Sequence, residues 1–306
     1  MKIVRAHEFG GPDKLVVDDV VAPEAGAGQL RITVKAAGVN PVDWKLLSGK
    51  TPIPTSLPLV PGGDIAGVVD SVGAGVGGWA IGDRVFAHPG LIGGYAGQVV
   101  LDASIAAPLP PGVSFSQAAA MPLAALTVWQ AFAADARELA GLHVLVHNAA
   151  GGVGNAAVQI AKIRGARVTA TASDINAEFV RGLGADEVVD FRTVPLDGRA
   201  ADVDMLLDLV GNSLEIGMWA LVRQGGSVLR VAGGVSAPPE EVADGIRAFK
   251  LLVRPDGDQL RSLAKLMMEG KLRAEIARHF PLDQAADALR LSMGGHVRGK
   301  ILLDFA

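Results

Sequence analysis

The sequence predicts a two-part α/β protein, a β-rich region joined to a doubly wound parallel sheet. From Gly141 onward, short apolar runs alternate with stretches of helical period, the βαβαβ order of a parallel sheet covered on both faces. Before residue 118 the apolar runs are short, β-branched and separated by Gly or Pro. The length of 306 residues, half of them hydrophobic and 20% charged, provides for two packed cores and excludes a disordered chain.

Residues 15–17, 30–34, 65–72 and 98–101 read as strands. Gly82-Asp83-Arg84-Val85 reads as a tight turn entering a strand, and Pro110-Pro111-Gly112 as a loop. Residues 118–134, the most apolar stretch, contain Pro122, Thr127 and Gln130 and are short for a bilayer, so they read as one buried helix. Strands follow at 143–147, 167–172, 187–190, 205–210 and 227–232, with helices from the glycine turn, at 177–183 and at 214–222. Residues 258–269 form an amphipathic helix. From Ala274 the short runs return around a helix at 285–292, and 300–304 is a last strand expected beside the N-terminal region. The expected division is residues 1–118 with 274–306, and residues 119–273. The apolar run 248–253 is expected as an edge strand through which two copies pair as a homodimer.

Composition narrows the function. Lys and Arg number 28 against 32 Asp and Glu, a net charge of −4, so no basic field exists for nucleic acid. The count of zero cysteines removes disulfides, thiolate nucleophiles and Cys-ligated zinc. None of the six histidines is spaced with a carboxylate as metal ligands are, so no metal is expected. The first residues carry charge and lack the apolar run of a signal peptide, which with the missing cysteines fits a cytoplasmic address and no membrane.

The sharpest chemical signal is Val144-Leu-Val-His-Asn-Ala-Ala-Gly151-Gly152-Val153-Gly154. Glycines between a strand and a helix let a pyrophosphate approach backbone N–H groups at the positive end of the helix dipole. The second strand of a dinucleotide fold carries an acid for the ribose when the ligand is NAD. Here that strand ends on neutral Ala172 and Ser173, and Asp174 stands one position further on. Ser173 offers a hydroxyl and Arg192 a cation for a 2′-phosphate, so NADPH is the cofactor favoured.

Several segments together resemble a known family. They are Ala37-Gly-Val-Asn40-Pro-Val-Asp43-Trp-Lys45, Pro61-Gly-Gly-Asp64-Ile-Ala-Gly67, Gly82-Asp-Arg-Val85 and Gly93-Gly-Tyr95-Ala. Further on come Ala120-Met-Pro-Leu-Ala-Ala-Leu-Thr127, the glycine turn, Gly182-Leu-Gly-Ala-Asp-Glu-Val188, Val231-Ala232-Gly233 and Gly299-Lys300-Ile. In this order they resemble zinc-free medium-chain dehydrogenases/reductases of the quinone oxidoreductase (zeta-crystallin-like) group. The resemblance implies a GroES-like catalytic domain, completed by the tail, and an inserted Rossmann domain. It implies cofactor contacts at Thr127, Ala232, Gly233 and Lys300. Asn40 matches the position where zinc-dependent relatives carry a Cys ligand. The chain departs from many relatives at Asn148, where they have Gly, and from some at Asn176, where they have a basic residue.

Without a metal, hydride addition to an electron-poor double bond needs a positioned nicotinamide and donors for the developing enolate oxygen. Asn40 can donate from its amide and Lys45 from its ammonium; Asp43 and Tyr95, the only tyrosine, complete the candidate set. The expectation is an NADPH-dependent reductase of quinones or α,β-unsaturated carbonyls. The alternatives are an enoyl-thioester reductase of lipid or polyketide synthesis and a non-catalytic, crystallin-like NADPH-binding protein.

Overall fold

In the computed structural model, which describes residues 1–190, 192, 202–210, 216–231 and 245–305, the chain opens with a β-rich stretch. Its elements are β1 (Lys2–Ala6), β2 (Leu15–Asp19), β3 (Gln29–Val39), α1 (Pro41–Leu47), β4 (Asp64–Val72), β5 (Arg84–Ala87), β6 (Gln98–Asp102) and β7 (Ala106–Pro108). Helices α2 (Phe115–Ala119) and α3 (Pro122–Asp135) lead on to β8 (His143–His147), α4 (Gly152–Ile163), β9 (Arg167–Thr171), α5 (Asp174–Gly182) and β10 (Glu187–Val189). Then come β11 (Val203–Asp208), α6 (Ile216–Trp219), β12 (Val222–Arg230) and β13 (Arg247–Lys250). Last are α7 (Gly257–Met268), β14 (Ile276–Pro281), α8 (Ala285–Met293) and β15 (Lys300–Asp304). Two compact units result: Met1–Leu126 with Arg254–Ala306, and Thr127–Val253.

In the first unit the main sheet runs β14-β15-β3-β4-β5-β7, with β6 also on β3. Burial along β3 alternates through Leu30, Ile32 and Val34 and then becomes continuous from Ala36 to Val39. Continuous burial marks a strand covered on both faces. There β3 lies between β4 and β15, with Gly38 opposite both Asp64 and Leu302. The register therefore gathers the residue after β3, the first residue of β4 and the first residue of β15 at one end of three neighbouring strands. Those residues are Asn40, Asp64 and Lys300.

Two features differ from the expected division. Residues 254–273 belong to the first unit, because α7 packs on the loop before β7. A Cβ on Gly257 would stand 2.2 Å from the Ser104 carbonyl oxygen, so the helix can start there only on glycine. Arg261 Nη1 donates to the Ala106 carbonyl at 3.0 Å. Residues 119–126 also fall in the first unit. The apolar stretch 118–134 is two helices rather than one: α2 stops at Ala119 and Pro122 opens α3, where its missing N–H leaves nothing unsatisfied.

The second unit is a parallel sheet in the order β10-β9-β8-β11-β12-β13. The order reverses at β8, between β9 and β11, which opens a crevice at the carboxyl ends of these strands. The helix expected at 214–222 is shorter among the described residues. Only Ile216–Trp219 is helical, and Val222 already begins β12, in which Arg223–Gly225 are exposed. β13 is an outer strand, paired with β12.

Candidate active site

Asn40 is the N-cap of α1, fixed because β3 ends there and Pro41 supplies the first helical residue. Asp43, three residues on, returns its carboxylate to the helix start: Oδ2 accepts the Asn40 backbone N–H at 2.7 Å. The same oxygen accepts the Tyr95 hydroxyl at 2.8 Å, while Oδ1 is buried without a partner among the described residues. Asn40 is 3% exposed and Lys300 5%. Lys300 Nζ donates to Asn40 Oδ1 at 2.5 Å and to Asp64 Oδ2 at 2.8 Å. Asn40 Nδ2 donates to Asp64 Oδ2 at 2.8 Å, and Asp64 Oδ1 accepts the Leu123 backbone N–H at 2.5 Å. Beside Asp64, His88 is buried with Nδ1 hydrogen-bonded to the Gly63 carbonyl and Nε2 unpartnered among the described residues.

Charge in this group is unevenly compensated. Lys300 pairs directly with Asp64. Burial pushes the Asp43 carboxyl up to about 7, and the nearby Asp64 charge pushes the same way; the Asn40 N–H, the Tyr95 hydroxyl and the Lys300 charge oppose it. Burial, then Asp43, raise the Tyr95 hydroxyl far above its ordinary value. Burial lowers His88, against its bond to Gly63.

The second unit holds the glycine turn. Gly151 caps α4 and has no side chain with which to bond the N–H groups of the first turn. Asn148, at φ +65°, takes the left-handed conformation that glycine adopts freely. A Cβ on Gly154 would stand 2.3 Å from the Asn148 carbonyl oxygen, so only glycine lets the helix approach the strand end this closely. Gly152 and Val153 fill the first turn between them. An uncapped helix start at the reversal point of a parallel sheet fits a dinucleotide pyrophosphate. His143 and His147 are strand residues bonded to Thr169 and Thr171, each at 2.8 Å.

Several expected site residues are placed differently. Lys300, expected at the cofactor, has its ammonium buried on Asn40 and Asp64. Tyr95 is fully buried, and its hydroxyl donates to Asp43. Asp43 likewise organises the start of α1. Lys45 is half-buried with its ammonium 5.4 Å from the Trp44 ring centroid, and among the described residues no hydrogen bond joins it to Asn40. Thr127 is buried in α3, and Ser173 caps α5 with its hydroxyl accepting from Asn176 at 3.1 Å. Ala232 and Gly233 lie outside the described residues. Arg192 is engaged by Asp190: Nε donates to Oδ1 at 2.9 Å and Nη2 to Oδ2 at 2.6 Å. That pairing holds the Asp190 carboxyl down at about 2, and the Asp174 backbone N–H adds to it. Sequence reasoning missed Asp64 and Asp190. The signal for Asp64 was its place in the Pro61–Gly67 motif; for Asp190 it was a strand-end acid two residues before an arginine.

A GroES-like sheet unit and a dinucleotide-type parallel sheet in one chain define an oxidoreductase of the medium-chain dehydrogenase/reductase class. Residues 26–111 match the alcohol dehydrogenase GroES-like domain family and residues 183–303 the zinc-binding dehydrogenase family. The chain is 33% identical, over 99% of both chains, to the chloroplastic quinone-oxidoreductase homolog of Spinacia oleracea. It is also 33% identical to the chloroplastic NADPH-dependent alkenal/one oxidoreductase of Arabidopsis thaliana, covering 99% of this chain and 79% of that one. The solved quinone oxidoreductase of Coxiella burnetii superposes with a TM-score of 0.92 at 35% identity, over 100% of this chain and 99% of that one. The chain belongs to the quinone oxidoreductase family. Among the described residues no group of three or more His, Cys, Asp or Glu could hold a metal, and no helix is long and apolar enough to cross a membrane. The residues at the Asn40 position do not fit a catalytic zinc, since the oxygens of Asn40 and Asp64 hold the Lys300 ammonium instead.

Proposed function

We propose that the protein reduces quinones or α,β-unsaturated carbonyls with NADPH and without a metal. The observation that carries this reading is the Asn40 amide, a neutral donor held in one orientation at the end of β3. When bound, the nicotinamide supplies the hydride. Asn40 donates an N–H to the carbonyl oxygen that gains charge, and the uncapped start of α4 holds the pyrophosphate. The names of the spinach and Arabidopsis relatives support both the acceptor class and NADPH.

A panel of quinones, enals, enones and enoyl thioesters with NADPH and NADH, followed at the nicotinamide absorbance, tests it. Turnover of enoyl thioesters alone would move the assignment to lipid or polyketide synthesis. NADPH binding with no turnover would make the protein a crystallin-like binder. NADPH is the cofactor in this reading: Arg192 uses Nε and Nη2 on Asp190, which leaves its Nη1 edge for a 2′-phosphate. Arg192→Ala should raise the KM for NADPH by roughly tenfold to a hundredfold, the loss of one charge-assisted contact, and leave that for NADH nearly unchanged. Equal use of NADH by the unmodified protein would assign Asp174 to the ribose instead.

Exhaustive chelation should leave activity unchanged, because the sequence has no cysteine and the Asn40 position carries an amide. Restoration of a lost activity by zinc would refute the metal-free part. A homodimer paired through β13 belongs to the same reading, supported by the position of that strand at the edge of its sheet. Sedimentation velocity at micromolar protein should give a dimer. A cytoplasmic address, which fits a chain without cysteine, is to be checked by fractionation.

A further inference from the structure

From the buried group at the end of β3 we infer that Lys300 and Asp64 are positioning residues that orient the Asn40 amide toward the carbonyl oxygen of the substrate. This rests on the reading that Asn40 is the enolate donor. The chemistry of the contacts sets the orientation. A lysine ammonium only donates and an ionised carboxylate only accepts. The Asn40 side-chain atom on Lys300 must therefore be the oxygen, and the one on Asp64 the nitrogen. The reverse placement would set NH₂ against NH₃⁺ and a carbonyl against a carboxylate. With Oδ1 on Lys300 and one Nδ2 hydrogen on Asp64, the second Nδ2 hydrogen has no partner among the described residues. The cation on Oδ1 also polarises the amide and strengthens that remaining N–H as a donor, as linked hydrogen bonds polarise one another. Lys300 then acts through Asn40 and touches neither cofactor nor substrate.

A double-mutant cycle between positions 300 and 40 tests this. Lys300→Met removes donor and charge; Lys300→Gln keeps an N–H donor on a chain of similar reach and removes the charge. Lys300→Met should lower kcat by roughly 10- to 100-fold, the scale of losing an oxyanion donor, while the dissociation constant for NADPH, read by fluorescence titration, stays within about twofold. Lys300→Gln should recover much of that loss and remain roughly threefold to tenfold below the parent. In an Asn40→Ala background neither substitution should lower kcat further. If Lys300→Met does not fold, the Lys300→Gln cycle carries the test. The Asn40 side-chain amide resonances, assigned by their loss in Asn40→Ala, should shift in Lys300→Gln without any substrate present.

Losses that multiply across the cycle, or unmoved Asn40 resonances, overturn the inference and leave Asn40 as donor. Weaker NADPH binding with kcat unchanged returns Lys300 to the cofactor site and also overturns it. An Asn40→Ala variant with parental kcat refutes the donor reading itself, and the inference with it.

Discussion

Asp64→Ala should lower stability by about 3–5 kcal/mol, the cost of stripping one partner from a buried ion pair. Asp64 is fully buried and accepts from Lys300 Nζ, Asn40 Nδ2 and the Leu123 N–H at 2.8, 2.8 and 2.5 Å. Alanine takes the shared acceptor from three buried donors and leaves the Lys300 cation with only the Asn40 Oδ1 beside it. Urea denaturation should show the fall in midpoint. The double variant Asp64→Asn/Lys300→Gln, which leaves no buried charge, should regain more than half of it. A single variant within about 1 kcal/mol of the parent would mean that water reaches the pair.

Asp43→Asn should reverse sign with pH. The folded carboxyl sits at about 7, raised from 3.8 chiefly by burial. A raised acid stabilises the fold fully below its unfolded pKa, and that contribution is lost as pH rises through the folded value. About three pH units at 1.36 kcal/mol each make the loss about 4 kcal/mol between pH 4 and pH 8. Asparagine keeps an oxygen for the Asn40 N–H and the Tyr95 hydroxyl, and its NH₂ takes the place of Oδ1, which has no partner among the described residues, at a cost of about 1–3 kcal/mol at every pH. The variant should therefore be less stable than the parent at pH 4 and more stable at pH 8. Parallel stability curves for the two proteins from pH 4 to 8 would refute the assignment.

The parallel sheet was legible because its strands are near-continuous apolar runs and its glycine turn stands between β8 and α4, although Asn148 or Ala149 occupies the place of the first glycine. Strand pairing across the chain was less so. Residues 300–304 could be read as a strand, but nothing local states that Lys300 faces Asn40, 260 residues away. That contact is a product of register between β15 and β3, so Lys300 read as a cofactor ligand from its motif alone. The pairing of Arg192 was hidden for the opposite reason. Its partner Asp190 is two residues away, yet the bidentate geometry depends on how the chain turns after β10. Pro122 was visible all along. Its effect was misjudged because the apolar pattern continues across it, and hydrophobicity does not report a helix start.

The pairing of β15 with β3 also sets an order of events on the ribosome. The Thr127–Val253 unit is contiguous and can fold once it has emerged, whereas the unit that encloses Asp64 waits for Lys300. At roughly 5–20 residues per second, the 260 residues between Asn40 and Lys300 take roughly 10–50 s to translate. For that interval the nascent chain holds a β3 edge without its β15 neighbour and an Asp64 without its counterion. Chaperone capture of ribosome-bound chains should therefore be strongest in the window before residue 300 appears.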